Sequence, residues 1–194
     1  SSMLEARQIS AVELMQATLD RIGQVNAGVN AVVSLRDADT LLAEAKAADN
    51  APRKGWLHGI PLAVKDLADV AGLPTSLGSP AFAGNVPVAD CGMVARMRAA
   101  GGLFIGKTNT PEFGLGSHTF NPVHGATYNP YDSGRTVGGS SGGAAAALAA
   151  RMLSVTDGSD MMGSLRNPAG WCNVYGMRPS WGRIPADPVG DTFL

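Results

Sequence analysis

The chain has 194 residues, 45% hydrophobic and 16% charged, with a formal net charge of −1, a balance that suits one sizeable globular domain and excludes a disordered tail. With no basic stripe, nothing points to nucleic acid as the main ligand. The apolar runs fall well short of the roughly 20 residues of a membrane span, and SSMLEARQIS at the start lacks the basic head and apolar core of a signal peptide. In chain order, Ser10 and Glu13 make a capping box, and Val12, Leu14, Met15, Leu19 and Ile22 keep helical spacing, which predicts a helix over 11–24. Residues 38–49, ADTLLAEAKAAD, read as a second helix, and NAPRKGWLHG as a loop. IPLAV (60–64), bounded by Gly59 and by Lys65-Asp66, suits a buried strand. Asp90 is placed to cap a helix through Ala100 that Gly101 and Gly102 end, and LFIG (103–106) follows as a strand. Residues 121–137 hold no period and read as loop. A helix is expected from Ser141 to about Met152, then a strand at LSVT (153–156), then a helical turn and a strand within RNPAGWCNVYGMRPS. Strands alternating with helices imply an α/β fold with a mixed, largely parallel sheet flanked by helices. With no internal repeat and no linker, residues 1–194 read as a single domain.

Three motifs compete for the chemistry. GGLFIGKT, Gly101 to Thr108, matches the phosphate-loop pattern letter for letter. That motif needs a strand before a pliable loop and a helix from the lysine. Here a helix precedes it, Leu103-Phe104-Ile105 has strand character, and Pro111 interrupts any helix from Lys107. GSSGG (139–143) satisfies G-x-S-x-G with Ser141 as the candidate nucleophile, but such an elbow needs a later acid and then a later histidine. His58, His118 and His124 all precede it, so they read as hydrogen-bonding residues of loop or core. They form no metal pair, and Cys91 and Cys172 have neither pairing nor metal-ligand spacing. Both cysteines read as small core residues in a reducing, cytoplasmic setting. What remains is a serine activated by a neutral lysine, which requires burial to lower the lysine's pKa. Lys65, directly after GIPLAV, is placed for that, although a strand-end lysine that reaches water fits the same letters.

The motifs GIPLAVKD, GKTNTPEF, TVGGSSGGAAAALAA, DGSDMMGSLRNPAG and YGMRPSWGRIP, in this order and spacing, resemble the amidase signature family from residue 11 to about residue 186. The resemblance implies an incomplete amidase-signature fold and hydrolysis of a carboxylic amide through a serine acyl-enzyme. Its Ser–cis-Ser–Lys triad carries over as Lys65, the base; Ser140, the bridging serine after a cis Gly139–Ser140 bond; and Ser164, the nucleophile. The backbone amides of Met161, Met162, Gly163 and Ser164 would form the oxyanion hole. Ser141 would support the network, Asp160 and Arg166 would pair structurally, and Thr108, Asn109 and Thr136 would lie near the pocket as loop hydrogen-bonders. No metal or organic cofactor is implied, and the partner is a small-molecule amide rather than nucleic acid or a membrane.

This chain departs from the resemblance in two ways. Many family members carry two glycines before the nucleophile where this chain has Met162-Gly163, which matters only if position 162 needs a positive φ. Family members also run to about twice this length. The chain stops at ADPVGDTFL, so truncation on the C-terminal side is expected, with an exposed apolar face that self-association or a complementing chain would cover. Two further readings remain open: the amidase subunit of a tRNA-dependent amidotransferase, and an inactive fragment or nucleotide-binding protein using Gly101–Thr108.

Overall fold

In the computed structural model, which describes residues 2–184, the apolar run ahead of Lys65 and the run after Gly102 pair side by side at the centre of the molecule. Strand β1 is Val32–Val33, β2 is Pro61–Lys65 and β3 is Leu103–Thr108, and the sheet order is β1-β3-β2. The β2–β3 pairing is parallel, with Lys65 beside Thr108, and β1–β3 is antiparallel. This is the mixed sheet with flanking helices that the sequence implied. Side chains alternate along the strands. Leu62, Val64 and Phe104 pack with Leu57, Ile60, Val70, Leu73 and Val94, while Ala63, Ile105 and Val32 join a second cluster with Met15, Ile22, Leu41 and Ala145 to Ala147. Burial on both faces explains why the β2 sequence is a continuous apolar run.

Helix α1 (Ser2–Glu5) precedes α2 (Ala11–Val29), whose capping box forms as expected: Glu13 N–H donates to Ser10 Oγ at 3.1 Å, and Ser10 N–H to Glu13 Oε2 at 2.8 Å. Helix α2 runs five residues past the expected end at 24. Val25 and Val29 pack on the core, and Asn30 closes the helix in the left-handed conformation at φ 53°. Helix α3 is Ala38–Asp49, as read from the sequence. Helix α4, Gly92–Ala99, carries the crossover between the parallel strands. Asp90 does not cap it. The Asp90 carboxylate accepts from Ala71 N and binds Arg98, and Cys91 takes the cap position without a side-chain bond.

Four further expectations are corrected. Strand β1 is absent from the sequence reading, because two valines carry no periodicity. The stretch 121–137 is not wholly loop, since β4 (Phe120–Asn121) and β5 (Gly125–Ala126) form a small antiparallel hairpin. LSVT forms no strand: Thr156 Oγ1 donates to Ala63 O at 2.7 Å and Lys65 N–H donates to Asp157 Oδ1 at 2.9 Å. Side chains rather than a backbone ladder thus occupy the free edge of β2. Helix α5 is Gly142–Ala149, and α6, Arg166–Trp171, is followed by no strand among the described residues. Residues 185–194, which include ADPVGDTFL, lie outside the described residues.

The phosphate-loop reading also fails. Residues 103–108 are strand throughout, and Lys107 is fully buried, donating to Ala68 O at 2.5 Å and to Thr75 Oγ1 at 2.9 Å. A lysine held inside the sheet cannot reach a phosphate.

Candidate active site

Lys65 is the last residue of β2 and lies two positions beyond Ala63, so strand alternation sends its side chain toward the face that α5 covers. It is 1% exposed. Its Nζ donates to Ser140 Oγ at 2.7 Å, Ser141 Oγ at 2.9 Å and Ser159 Oγ at 2.9 Å. Burial pulls its pKa from the ordinary 10.5 down to about 8, against the opposing negative charges of Asp157 and Asp160. The N-terminus of α5, where a positive charge is disfavoured, lies at the same spot. A substantial neutral fraction at mildly basic pH follows. In the neutral amine one of the three hydrogen bonds reverses, and a serine hydroxyl donates to nitrogen.

Ser140 and Ser141 are both 2% exposed, and the Gly139–Ser140 peptide bond is cis. Ser141 N–H donates to Ser164 O at 3.0 Å, which sets the segment carrying Ser164 against the start of α5. The Ser164 hydroxyl makes no hydrogen bond among the described residues, so the structure brings Lys65, Ser140 and Ser141 into one bonded cluster and holds Ser164 beside it by main chain.

Asp160 organises the turn before Ser164. Its side chain is 1% exposed and accepts from Arg166 Nε at 2.9 Å and Nη2 at 3.0 Å. It also takes the amides of Gly163 at 2.7 Å, Leu165 at 3.1 Å and Arg166 at 3.3 Å. The Arg166 guanidinium, followed by those amides, holds the Asp160 carboxyl well below the usual carboxylate range. The Gly163 amide, assigned by resemblance to the oxyanion hole, is therefore already engaged. Among the described residues, the amides of Met161, Met162 and Ser164 donate to no protein acceptor. The positive φ of this turn, 110°, falls on Gly163 and not on Met162, so a side chain at 162 imposes no strain.

The remaining expected residues are structural. Asn109 donates to Gly125 O and Thr127 Oγ1 and accepts from Asn121 and from Thr110 N–H, and Thr136 Oγ1 lies 2.8 Å from His118 Nδ1. Thr108 is not the expected loop hydrogen-bonder: it ends strand β3, and its buried Oγ1 has no hydrogen-bond partner among the described residues. His58 Nε2 donates to Ala48 O at 2.9 Å, and His124 Nε2 lies 3.2 Å from Ser76 Oγ. Both cysteines are free, Cys172 in the core. Sequence reasoning missed Ser159 and Asp157. The available signal was TDGSD itself, short polar side chains around Gly158 in the segment that leads into Ser164.

Three comparisons bear on this geometry. The amidase family model matches residues 13–193. Over 199 aligned positions the chain is 41% identical to an acylamidase from Rhodococcus erythropolis, an alignment taking in all of this chain and 41% of that protein. It is 42% identical to the A component of the glutamyl-tRNA(Gln) amidotransferase of Corynebacterium jeikeium, over 93% of this chain and 37% of that component. Among solved structures, a bacterial aryl acylamidase described as belonging to the amidase signature enzymes superposes with a TM-score of 0.90 at 35% identity, covering 99% of this chain and 41% of its own. The chain spans about two fifths of the length of these relatives.

Proposed function

The chain belongs to the amidase signature family, and from that premise we propose that it carries the catalytic machinery of an amidase acting on a small-molecule carboxylic amide, in a cytoplasmic setting. The observation that carries the reading is the buried Lys65, bonded to Ser140 and held at a pKa of about 8.

In this mechanism neutral Lys65 accepts the proton of Ser140, and Ser140 accepts that of Ser164. The freed electron pair on Ser164 Oγ forms a bond to the amide carbonyl carbon. Negative charge moves to the carbonyl oxygen, where the amides of Met161, Met162 and Ser164 stabilise it; one such donor is worth about 3 kcal/mol. As the C–N bond breaks, the proton on Lys65 returns through Ser140 to the leaving amine. Water then repeats the sequence on the acyl-enzyme and releases the acid. Ser141 and Ser159 keep the Lys65 amine oriented while Ser140 exchanges protons. Asp160 and Arg166 hold the turn that presents the three amides.

A second reading is favoured by the likeness to the amidotransferase component: the same chemistry would release ammonia from glutamine for a partner. Glutamine hydrolysis that depends on added partner subunits would separate it from simple amide hydrolysis. In either case the exposed Tyr175, Met177 and Trp181 supply a face for a second copy or a complementing chain, which light scattering would report as a mass above the monomer's.

The direct test is labelling with a fluorophosphonate followed by peptide mapping. A single adduct on Ser164 that disappears in Lys65→Ala is the expected result. A folded chain that takes no adduct, or takes it at another serine, removes the assignment.

A further inference from the structure

Beside the serines, Lys65 has one partner that the mechanism leaves without a task. The Asp157 carboxylate accepts the main-chain N–H of Lys65 through Oδ1 at 2.9 Å. Its second oxygen has no hydrogen-bond partner among the described residues. The preceding residue, Thr156, is tied to β2 through Ala63 O, so the carboxylate is fixed against the strand that carries the lysine. Asp157 is half-buried, in the wall of a cleft of about 700 Å³ that Ser141, Leu165 and Tyr175 also line.

We propose that Asp157 is a positioning residue for the amide-cleaving reaction: it pins the main chain of Lys65 at the end of β2, and its negative charge opposes the effect of burial on the Lys65 amine. The proposal rests on the reading of Lys65 as the base. The charged groups facing this pair come from three directions. Asp157 and Asp160 reach Lys65 from the segment after α5, but Asp160 is matched by Arg166 and Arg178. From β3 comes Lys107, 3.9 Å from Asp66, which follows Lys65 in the chain. Asp157 is thus the carboxylate in this group without a cationic side chain bonded to it. Burial is the largest influence on Asp157 and raises its own pKa above the ordinary carboxylate value; the amide of Lys65 and the charges of Lys65 and Lys107 offset only part of that. An ionised Asp157 favours the protonated lysine and holds back the base. The chain therefore carries a carboxylate that counteracts the burial of Lys65 and raises the pH at which its amine gives up a proton.

The test is Asp157→Asn in the full chain, which keeps a carbonyl oxygen for the Lys65 N–H and removes only the charge. Two readouts are needed: the pH dependence of fluorophosphonate labelling at Ser164, and the titration of Lys65 followed by its 13Cε chemical shift. Both inflections should move to lower pH by about one unit, because the neutral amine is the reactive form and loss of the carboxylate favours it. Inflections that stay in place, or move upward, overturn the proposal and leave Asp157 as a strand anchor. A lysine titration that moves while the labelling profile does not would sink the base assignment and uphold the charge coupling. If the variant does not fold, the wild-type protein decides: the 13Cγ signal of Asp157 should respond where Lys65 titrates, and a flat signal there overturns the proposal.

Discussion

Two lysines lie buried on neighbouring strands, Lys65 at the end of β2 and Lys107 near the end of β3, and both have lowered pKa values because burial penalises their charge. Their partners differ in kind. Lys107 donates to a main-chain carbonyl and a threonine hydroxyl, with the buried carboxylate of Asp66 at 3.9 Å. A carbonyl cannot return a proton, and the Asp66 carboxylate supplies a counter-charge that opposes the effect of burial, so Lys107 is placed to tie strand to loop. Lys65 meets three hydroxyls and no bonded counter-ion. Hydroxyls can donate as readily as accept. Burial affects both lysines in the same direction; what sets Lys65 apart is that all three of its Nζ partners are hydroxyls.

Substitutions at the two positions should divide cleanly. The largest effect expected is on reactivity: Lys65→Ala should slow labelling or amide hydrolysis by about 10⁴-fold, the upper end for loss of a general base, with the folded state retained. Lys107→Met should leave the labelling rate per folded molecule near that of the parent, and a collapse of both rates would erase the distinction. Next in size is stability. Lys107→Ala leaves Asp66 buried beside an empty site and should lower the unfolding free energy by about 3–5 kcal/mol in a urea titration.

The pH dependence sharpens the contrast further. Lys65 falls from 10.5 unfolded to about 8 folded, so between those values the unfolded chain binds more protons than the native one. Stability should rise as pH climbs from about 8 to 10.5, with about 3 kcal/mol available from this group, and labelling at Ser164 should rise with an inflection near pH 8. A melting profile flat across that interval would mean that Lys65 is not desolvated. The smallest effect is reserved for Ser159→Ala, which removes one of three hydrogen bonds to Nζ at an exposed position. About 1 kcal/mol, or roughly a fivefold loss in rate, is expected.

How much of this was legible in the sequence depended on the distance over which each feature is determined. The capping box at Ser10, helix α3 and the apolar strand before Lys65 rest on local spacing, and the structure has them. The approach of Lys65 to Ser140, 75 positions apart, was reachable only because several motifs stood in register with a known family. Ser159 and Asp157 were not reachable in that way. Their positions follow from a segment that looked like a strand, LSVT, but meets β2 through side chains, so that Asp157 meets the main chain of Lys65 and Ser159 meets its Nζ. The engagement of the Gly163 amide was hidden for a related reason. An aspartate three residues ahead of a glycine says nothing about which N–H it will bind until the turn between them is closed by Arg166.

The fit of α5 against its neighbours has a consequence for how such an enzyme could diversify. A β-carbon on Gly142 would collide with the Thr119 side chain, and one on Gly143 with the main chain of Asn109, while Ala144 to Ala147 are sealed in the core. The helix beneath the serines therefore has almost no mutational latitude; it is a fixed anvil. Variation has more room at the rims, such as the 112–117 stretch, where Gly114 approaches Ser140, and the turn bearing the exposed Met161 and Met162. Libraries aimed at new substrates would be best confined to those two margins.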